Sequence, residues 1–199
     1  MKVLGRQLRK FLADGQGTLS VETALVFPLL LWAYGGTFVF WDAFRAQNVN
    51  LKAAYTISDA LSRETSAVNE DYLDGLNDIY AFLTDSNHPV RMRVTTIKWD
   101  EADNQFEVIW SESTSESWAK HTIATLNANA HQIPAMASGD LAVLVETQMA
   151  YEPFLSVVDA RIFENFIVTR PRFGPQLVWE NDDGTTLGGD DDTATVSDV

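Results

Sequence analysis

The hydrophobic pattern of this chain starts dense and then thins. From Thr23 to Trp41 there are 19 residues without a charge. As a helix that run measures about 28 Å, close to the hydrocarbon thickness of a bilayer. Asp42 and Arg45 close it, with Trp41 at the edge, where an indole prefers the membrane interface. Beyond them apolar residues recur at Ala46, Val49, Ala53, Ile57 and Ala60, spacings that define one helix face. No Gly or Pro interrupts residues 41–65, so the pattern predicts a continuous helix over 18–64, about 70 Å long. Its first half is expected in lipid and its outer half against a folded domain. Asp59 and Arg63 lie four apart on the other face of that outer half, a favourable helical pair. Pro28 falls near the start of the apolar run, where membrane helices tolerate it.

A second helix is predicted over 70–84. Asn69 stands as N-cap, Glu70 and Asp71 complement the helix dipole, and Tyr72, Leu73, Leu76, Ile79, Tyr80 and Leu83 form the apolar face. Period-two alternation then begins. Val90, Met92 and Val94 alternate with Arg91 and Arg93, and Phe106, Val108 and Trp110 with Glu107 and Ile109, around a turn at residues 100–104. Residues 114–130 read as a weaker helix through Trp118, Thr122 and Leu126. Pro134 and Gly139 mark a connection, a long strand alternates over 141–151, and another covers 163–170. These elements predict an α+β fold: a long N-terminal helix packed on a head with a small antiparallel sheet of about four strands. The implied organisation is a basic leader at 1–17, a transmembrane and stem helix at 18–64, a head at 65–179, and an acidic tail at 180–199. Seven acids and no bases follow from Glu180, so that tail is expected to be solvated and disordered.

Charge sharpens this picture. The 199 residues carry a net charge of −14. Lys2, Arg6, Arg9 and Lys10 precede the apolar run, opposed only by Asp14, which places the N-terminus inside and the body outside. Without residues 1–17 the chain has 10 basic against 27 acidic residues, a net of −17. Such a surface repels nucleic acid, which is not expected as a partner. Cysteine is absent, which excludes disulfides, thiolate metal sites and cysteine nucleophiles. A cleaved secretory signal is disfavoured: the apolar run is long, and it ends in bulky Phe38-Val39-Phe40-Trp41 rather than small residues.

The informative feature lies just before the span, in Gly15-Gln16-Gly17-Thr18-Leu19-Ser20-Val21-Glu22. A carboxylate just inside an apolar helix is costly and is usually kept for a partner. Gly17, Glu22 five residues on, and the run from Thr23 to Leu31 resemble the type IV pilin superfamily. Within it they resemble the TadE-like minor pseudopilins of tight-adherence (Tad) pilus systems. The resemblance covers the first quarter to third of the chain. Looser similarities follow at Ile133-Pro134-Ala135-Met136, Val145-Glu146, Tyr151 and Arg170-Pro171-Arg172. In one departure, Thr23 stands where these proteins usually carry an aromatic. The resemblance implies that a prepilin peptidase cuts between Gly17 and Thr18. Glu22 then neutralises the new amine of Thr18, in its own or a neighbouring subunit, and sets axial register during assembly. It further implies a single-pass protein of the bacterial inner membrane with a cytoplasmic N-terminus and an extracytoplasmic head, reaching the cell surface within a pilus. Its partners would be the lipid bilayer, other pilus subunits and the Tad inner-membrane machinery.

Catalytic chemistry is not evident. His88, His121 and His131 share no metal-ligand spacing, and no H-E-x-x-H, glycine-rich phosphate loop or G-x-S-x-G elbow occurs. Gly35-Gly36 lies inside the span, where small residues favour helix contact. Asn181-Asp182-Asp183-Gly184 invites a calcium reading, but Trp179 stands where an EF-hand needs its first ligand. No catalytic residue, metal or cofactor is expected, and the chain reads as structural rather than enzymatic. The alternative is an uncleaved, membrane-anchored adhesin or ligand-binding module. A simple anchor, however, needs no carboxylate in its span.

Overall fold

The structure, a computed structural model, describes residue 10 and residues 18–86, 88–154 and 159–188. The leader, apart from Lys10, lies outside the described residues, as do residues 189–199 of the acidic tail. The chain divides into two compact units, Met1–Ala43 with Pro153–Asp159, and Phe44–Glu152 with Ala160–Val199.

Helix α1 spans Thr18–Arg63, one residue short of the predicted end, and contains Pro28. In its first part the hydroxyls of Thr23 and Thr37 donate to the carbonyls of Leu19 and Ala33, at 2.8 and 2.9 Å. Those bonds satisfy the polar atoms within the helix, as an apolar solvent requires. Among the described residues, this is the one helix long and apolar enough to cross a membrane.

In the second unit, the outer part of α1 buries Asn50, Ala53, Ala54, Ile57, Ser58, Leu61 and Ser62. Ala46, Val49 and Ala60, expected on that face, are only half-buried. The buried stripe is rotated toward small polar residues, which find partners inside the head: the Ser58 hydroxyl bonds to that of Thr169, and Asn50 Oδ1 accepts from the Tyr80 hydroxyl. Helix α2, Glu70–Thr84, has the predicted cap: Asn69 Oδ1 accepts from the Tyr72 amide at 3.0 Å. It buries Leu73, Leu76 and Tyr80.

Strands β1 (Val90–Asp100), β2 (Gln105–Ser113), β3 (Leu141–Tyr151) and β4 (Arg161–Thr169) form an antiparallel sheet in the order β2-β1-β3-β4. One face packs on α1 and α2 through Met92, Val94, Trp110, Val143, Val145 and Ile167. The other face carries a second core of Ile97, Phe106, Val108, Ala142 and Leu144 under Leu126 and Ile133. The sheet is therefore covered on both sides. The unbroken apolar run Leu141–Val145 is the sequence mark of such a strand.

Three expectations need correction. Phe106, Val108 and Trp110 do not share a face, because the β1–β2 register shifts between Thr96 and Ile97. Thr96 pairs with Trp110 and Ile97 with Val108, so Ile109 is an extra residue that sends Trp110 to the helical side. The weaker helix at 114–130 shrinks to α3, Ile123–Ala128, capped by Thr122 and followed by a 3-10 turn at Ala130–Gln132. Trp118 sits outside it, in a turn closed by its amide on the Ser115 carbonyl at 2.9 Å. Thirdly, order does not end at Glu180. Strands β5 (Trp179–Glu180) and β6 (Thr186–Leu187) form a hairpin. Its turn is locked by Asp183 Oδ1, which accepts from the Thr185 amide and hydroxyl at 2.9 and 2.6 Å, and by Gly184 at φ +80°. Local turn chemistry prevails there over acidic composition. The hairpin is anchored because the amides of Val68 and Glu180 donate to the carbonyls of Val178 and Val68, each at 2.8 Å.

Candidate functional site

The residues singled out by the sequence lie at the start of α1. Gly17 is outside the described residues, and Thr18 is the first residue of the helix. Glu22 follows one turn later, exposed, at the i+4 position that shares a face with Thr18. No ion pair to Glu22 occurs among the described residues. Around and beyond it the helix exposes Leu19, Leu25, Phe27, Leu29, Leu30, Leu31, Trp32 and Tyr34. Thr23 and Trp41, the ends of the charge-free run, both lie on this helix, and Trp41 sits beside Phe38 with ring centroids 6.4 Å apart. The arrangement is a surface of lipophilic side chains with one carboxylate near its beginning. An open hollow of about 460 Å³ runs along Leu19, Ser20, Thr23, Ala24, Phe27 and Pro28, and the surface as a whole can seat in a bilayer and offer an acid to a cation.

A second cluster, which sequence reasoning missed, sits on the sheet face away from α1. Arg93 of β1 forks onto Glu146 of β3, with Nε and Nη2 each 2.7 Å from a carboxylate oxygen. The pairing is built by register, since Arg93 and Glu146 are direct cross-strand partners. His121 Nε2 lies 2.9 Å from Glu146 Oε2, and its Nδ1 lies 3.0 Å from Thr125 Oγ1. An ionised carboxylate only accepts, so Nε2 carries the proton. Arg93 also donates to the Ala119 carbonyl at 2.6 Å and stacks on the Trp118 ring at 4.6 Å. Burial pushes the Glu146 carboxyl up, yet the hydrogen bonds from His121 and Arg93 and their charges outweigh it and hold the group below its ordinary value. The cluster fastens residues 118–125 to the sheet. The alternation of Arg93 with Val94 marks Arg93 only as facing away from the helices. That its face is buried could have been read from the apolar run in β3.

Beside the cluster a polar cleft of about 400 Å³ is lined by Arg93, Trp118, Gln132, Glu146, Gln148 and Glu164, among others. Its charged groups already serve one another: Glu146 is held by Arg93 and His121, and Gln148 donates to Glu164 at 2.9 Å. Under the other face, the Tyr80 hydroxyl donates to Asn50 Oδ1 and is pushed up to about 12, by burial first, against hydrogen bonding with Thr147 and Asn165. His121 is thus a core residue, while His131 is exposed. Among the described residues no group of three or more His, Asp or Glu is placed to hold a metal ion. Comparison with protein-family models, curated proteins and solved structures returns no match.

Proposed function

We propose that this protein is a TadE-like minor pseudopilin, a structural subunit or assembly factor of a tight-adherence pilus, anchored by α1. The observation that carries the reading is Glu22, an exposed carboxylate one helical turn after Thr18 and next to a charge-free apolar run. A mere anchor gains nothing from an acid at the edge of its span; the cost is about 2.5–3.5 kcal/mol at a bilayer centre and smaller, though still unfavourable, where Glu22 stands. A subunit whose neighbour presents a free amine gains an ion pair in a low dielectric. Trp32 and Tyr34 carry polar atoms into the middle of the span, and Gly35-Gly36 permits close helix approach; both suit packing against other subunits. The partners in this reading are a prepilin peptidase cutting between Gly17 and Thr18, other pilus subunits and the Tad inner-membrane machinery. The head would then stand on the outer side of the inner membrane.

The test is the mature N-terminus. Co-expression with a prepilin peptidase should remove residues 1–17, which intact mass reads directly. Glu22→Ala should leave membrane insertion unchanged and reduce pilus output. An intact leader together with normal filaments from Glu22→Ala would leave only a tethered head. The polar cleft beside Arg93 is the observation favouring the second reading, a membrane-anchored ligand-binding module. That reading predicts loss of surface adhesion in Gln148→Ala with pili unaffected.

A further inference from the structure

The second face of the sheet changes character along β3. Alternate residues there are Ala142, Leu144, Glu146 and Gln148. The first two belong to the core under Leu126 and Ile133, and Glu146 is the buried acid of the triad. Next to that acid the polar cleft opens, all of it within the second unit. From the sheet it is lined by Gln148 and its cross-strand partner Glu164, and from the covering segment by Trp118, Asn129 and Gln132. Its volume of about 400 Å³ falls in the range of small-ligand sites, roughly 300–1,000 Å³.

The lining rules out most ligand classes. An anion needs free positive donors, but Arg93 commits Nε and Nη2 to Glu146 and Nη1 to the Ala119 carbonyl. Glu164 adds a carboxylate that has no ion pair among the described residues. An organic cation is drawn to an aromatic face, and the Arg93 guanidinium already lies over the Trp118 ring, 4.6 Å from its centroid. An apolar ligand would strip water from Gln132, Gln148 and Glu164 and return no hydrogen bond. The remaining hydrogen-bonding capacity is mostly that of acceptors. Asn129 Nδ2 donates to the Thr125 carbonyl at 3.4 Å, and Gln148 Nε2 to Glu164 Oε1 at 2.9 Å. Among the described residues this leaves Asn129 Oδ1, Gln148 Oε1, Glu164 Oε2 and both ends of the Gln132 amide to solvent.

We propose that this cleft is a saccharide site, taking a neutral sugar through Asn129, Gln132, Gln148 and Glu164. A sugar ring presents several hydroxyls, which donate to the free amide oxygens and, in charge-assisted bonds, to the Glu164 carboxylate. One of its oxygens accepts from Gln132 Nε2, and its C–H groups meet the apolar surface of Trp118 and Phe166. The triad of Arg93, Glu146 and His121 serves the site from beneath, because it fastens the segment that brings Trp118, Asn129 and Gln132 over the sheet. This deepens the ligand-binding reading of the cleft and rests on it; whether the leader is cut has no bearing.

The test uses the full chain in phosphatidylcholine nanodiscs, free of sugar detergents, with binding read by saturation-transfer NMR. Glucose, galactose, mannose and N-acetylglucosamine are the neutral probes, with glucuronate and putrescine as the anionic and cationic comparisons. At least one neutral sugar should bind, and Gln132→Ala and Gln148→Ala should each weaken it about 5- to 10-fold, the loss of one or two hydrogen bonds. Gln132 is exposed and its side chain bonds to nothing in the head, so Gln132→Ala should lose binding without any shift in thermal unfolding. Sugar binding that is equal in the parent and both variants places the sugar elsewhere and overturns the site. Preference for glucuronate or putrescine over every neutral sugar overturns the ligand class and keeps the cleft as a binding site. Silence from every probe overturns the saccharide site and the ligand-binding reading together, and leaves the pilin reading untouched.

Discussion

The first part of α1 and the interior of the head are built on opposite rules. From Leu19 to Trp41 most large apolar side chains point outward, Val39 being buried: Leu25 is 71% exposed and Trp32 69%. In the head a triad of Arg93, Glu146 and His121, an ion pair with an imidazole hydrogen-bonded to it, is drawn inward, with Glu146 only 8% exposed. In water both arrangements are unfavourable, since apolar surface stays wet in one and charge is stripped of solvent in the other. The first would be resolved by a change of solvent, since this helix is long and apolar enough to cross a bilayer. The second is resolved locally: a forked guanidinium, an imidazole and a carbonyl replace the water that the charges lose. The comparison teaches that exposure has no meaning until the surrounding medium is named.

Breaking the inward triad should give the largest effect. Arg93→Ala leaves Glu146 buried beside His121 alone, and the loss of a buried partner costs about 3–5 kcal/mol. Chemical denaturation of the nanodisc-embedded chain should register it. Tryptophan emission from Trp118 should report that residues 118–125 loosen first. The same triad predicts an acid sensitivity. The Glu146 carboxyl is held below its ordinary 4.5, so its contribution is complete above that pH and lost as pH falls through the folded value. Glu146→Gln should be less stable than the parent at neutral pH and converge toward it in acid. A gap between the two that stays constant below pH 4.5 would remove the linkage.

Next in size is a charge placed in the outward-facing region. Leu31 is 55% exposed, and at such a site in a water-soluble protein Arg is nearly neutral. Inside a bilayer the same change costs about 2.5–3.5 kcal/mol at the centre of the span. Leu31→Arg should therefore cut the membrane-integrated fraction sharply in carbonate extraction while leaving the head's stability unchanged. Unchanged integration would mean that lipid is not the medium around α1.

Those two regions were unequally legible in the sequence. The long apolar helix announced itself because a charge-free stretch needs no tertiary information to be recognised, and the capped helix at 70–84 was legible for the same local reason. The triad was not, because Arg93, His121 and Glu146 are brought together by strand register and by a segment folded over the second sheet face. The extra residue at Ile109 was equally hidden: a one-residue slip in pairing reverses every later side chain, and nothing local signals it. The hairpin after Trp179 was obscured by its composition, although Asn181, Asp183 and Gly184 are the residues a tight turn requires. For the candidate site, the order of Gly17, Thr18 and Glu22 was readable, but a helix alone does not reveal what meets the carboxylate.

The outer part of α1 offers an intermediate effect. There small residues are buried where large ones are exposed earlier in the helix, and Ala54 is 0% exposed within the main core. Ala54→Leu adds apolar volume where no space exists and should destabilise the head by about 1–3 kcal/mol. Ala33, exposed on the same helix, should accept Leu with no change in head stability. Thermal unfolding of the two variants side by side tests whether packing and lipid exposure divide α1 as described.

The smallest effect is the sharpest control, because it repeats the triad's chemistry in water. Asp59 binds Arg63 at 2.9 Å and Arg172 at 3.0 Å, an acid between two guanidiniums, yet all three side chains are 42–55% exposed. The Arg172 main chain is held independently, its amide donating to the Ser62 carbonyl at 2.7 Å, so the pairing is not needed to dock that segment. Asp59→Asn should therefore cost only about 0.2–1 kcal/mol, and less in high salt. Arg93→Ala should respond little to salt, because its charges are shielded from mobile ions. If the two losses prove equal in size and in salt response, burial is not what gives the Glu146 triad its strength.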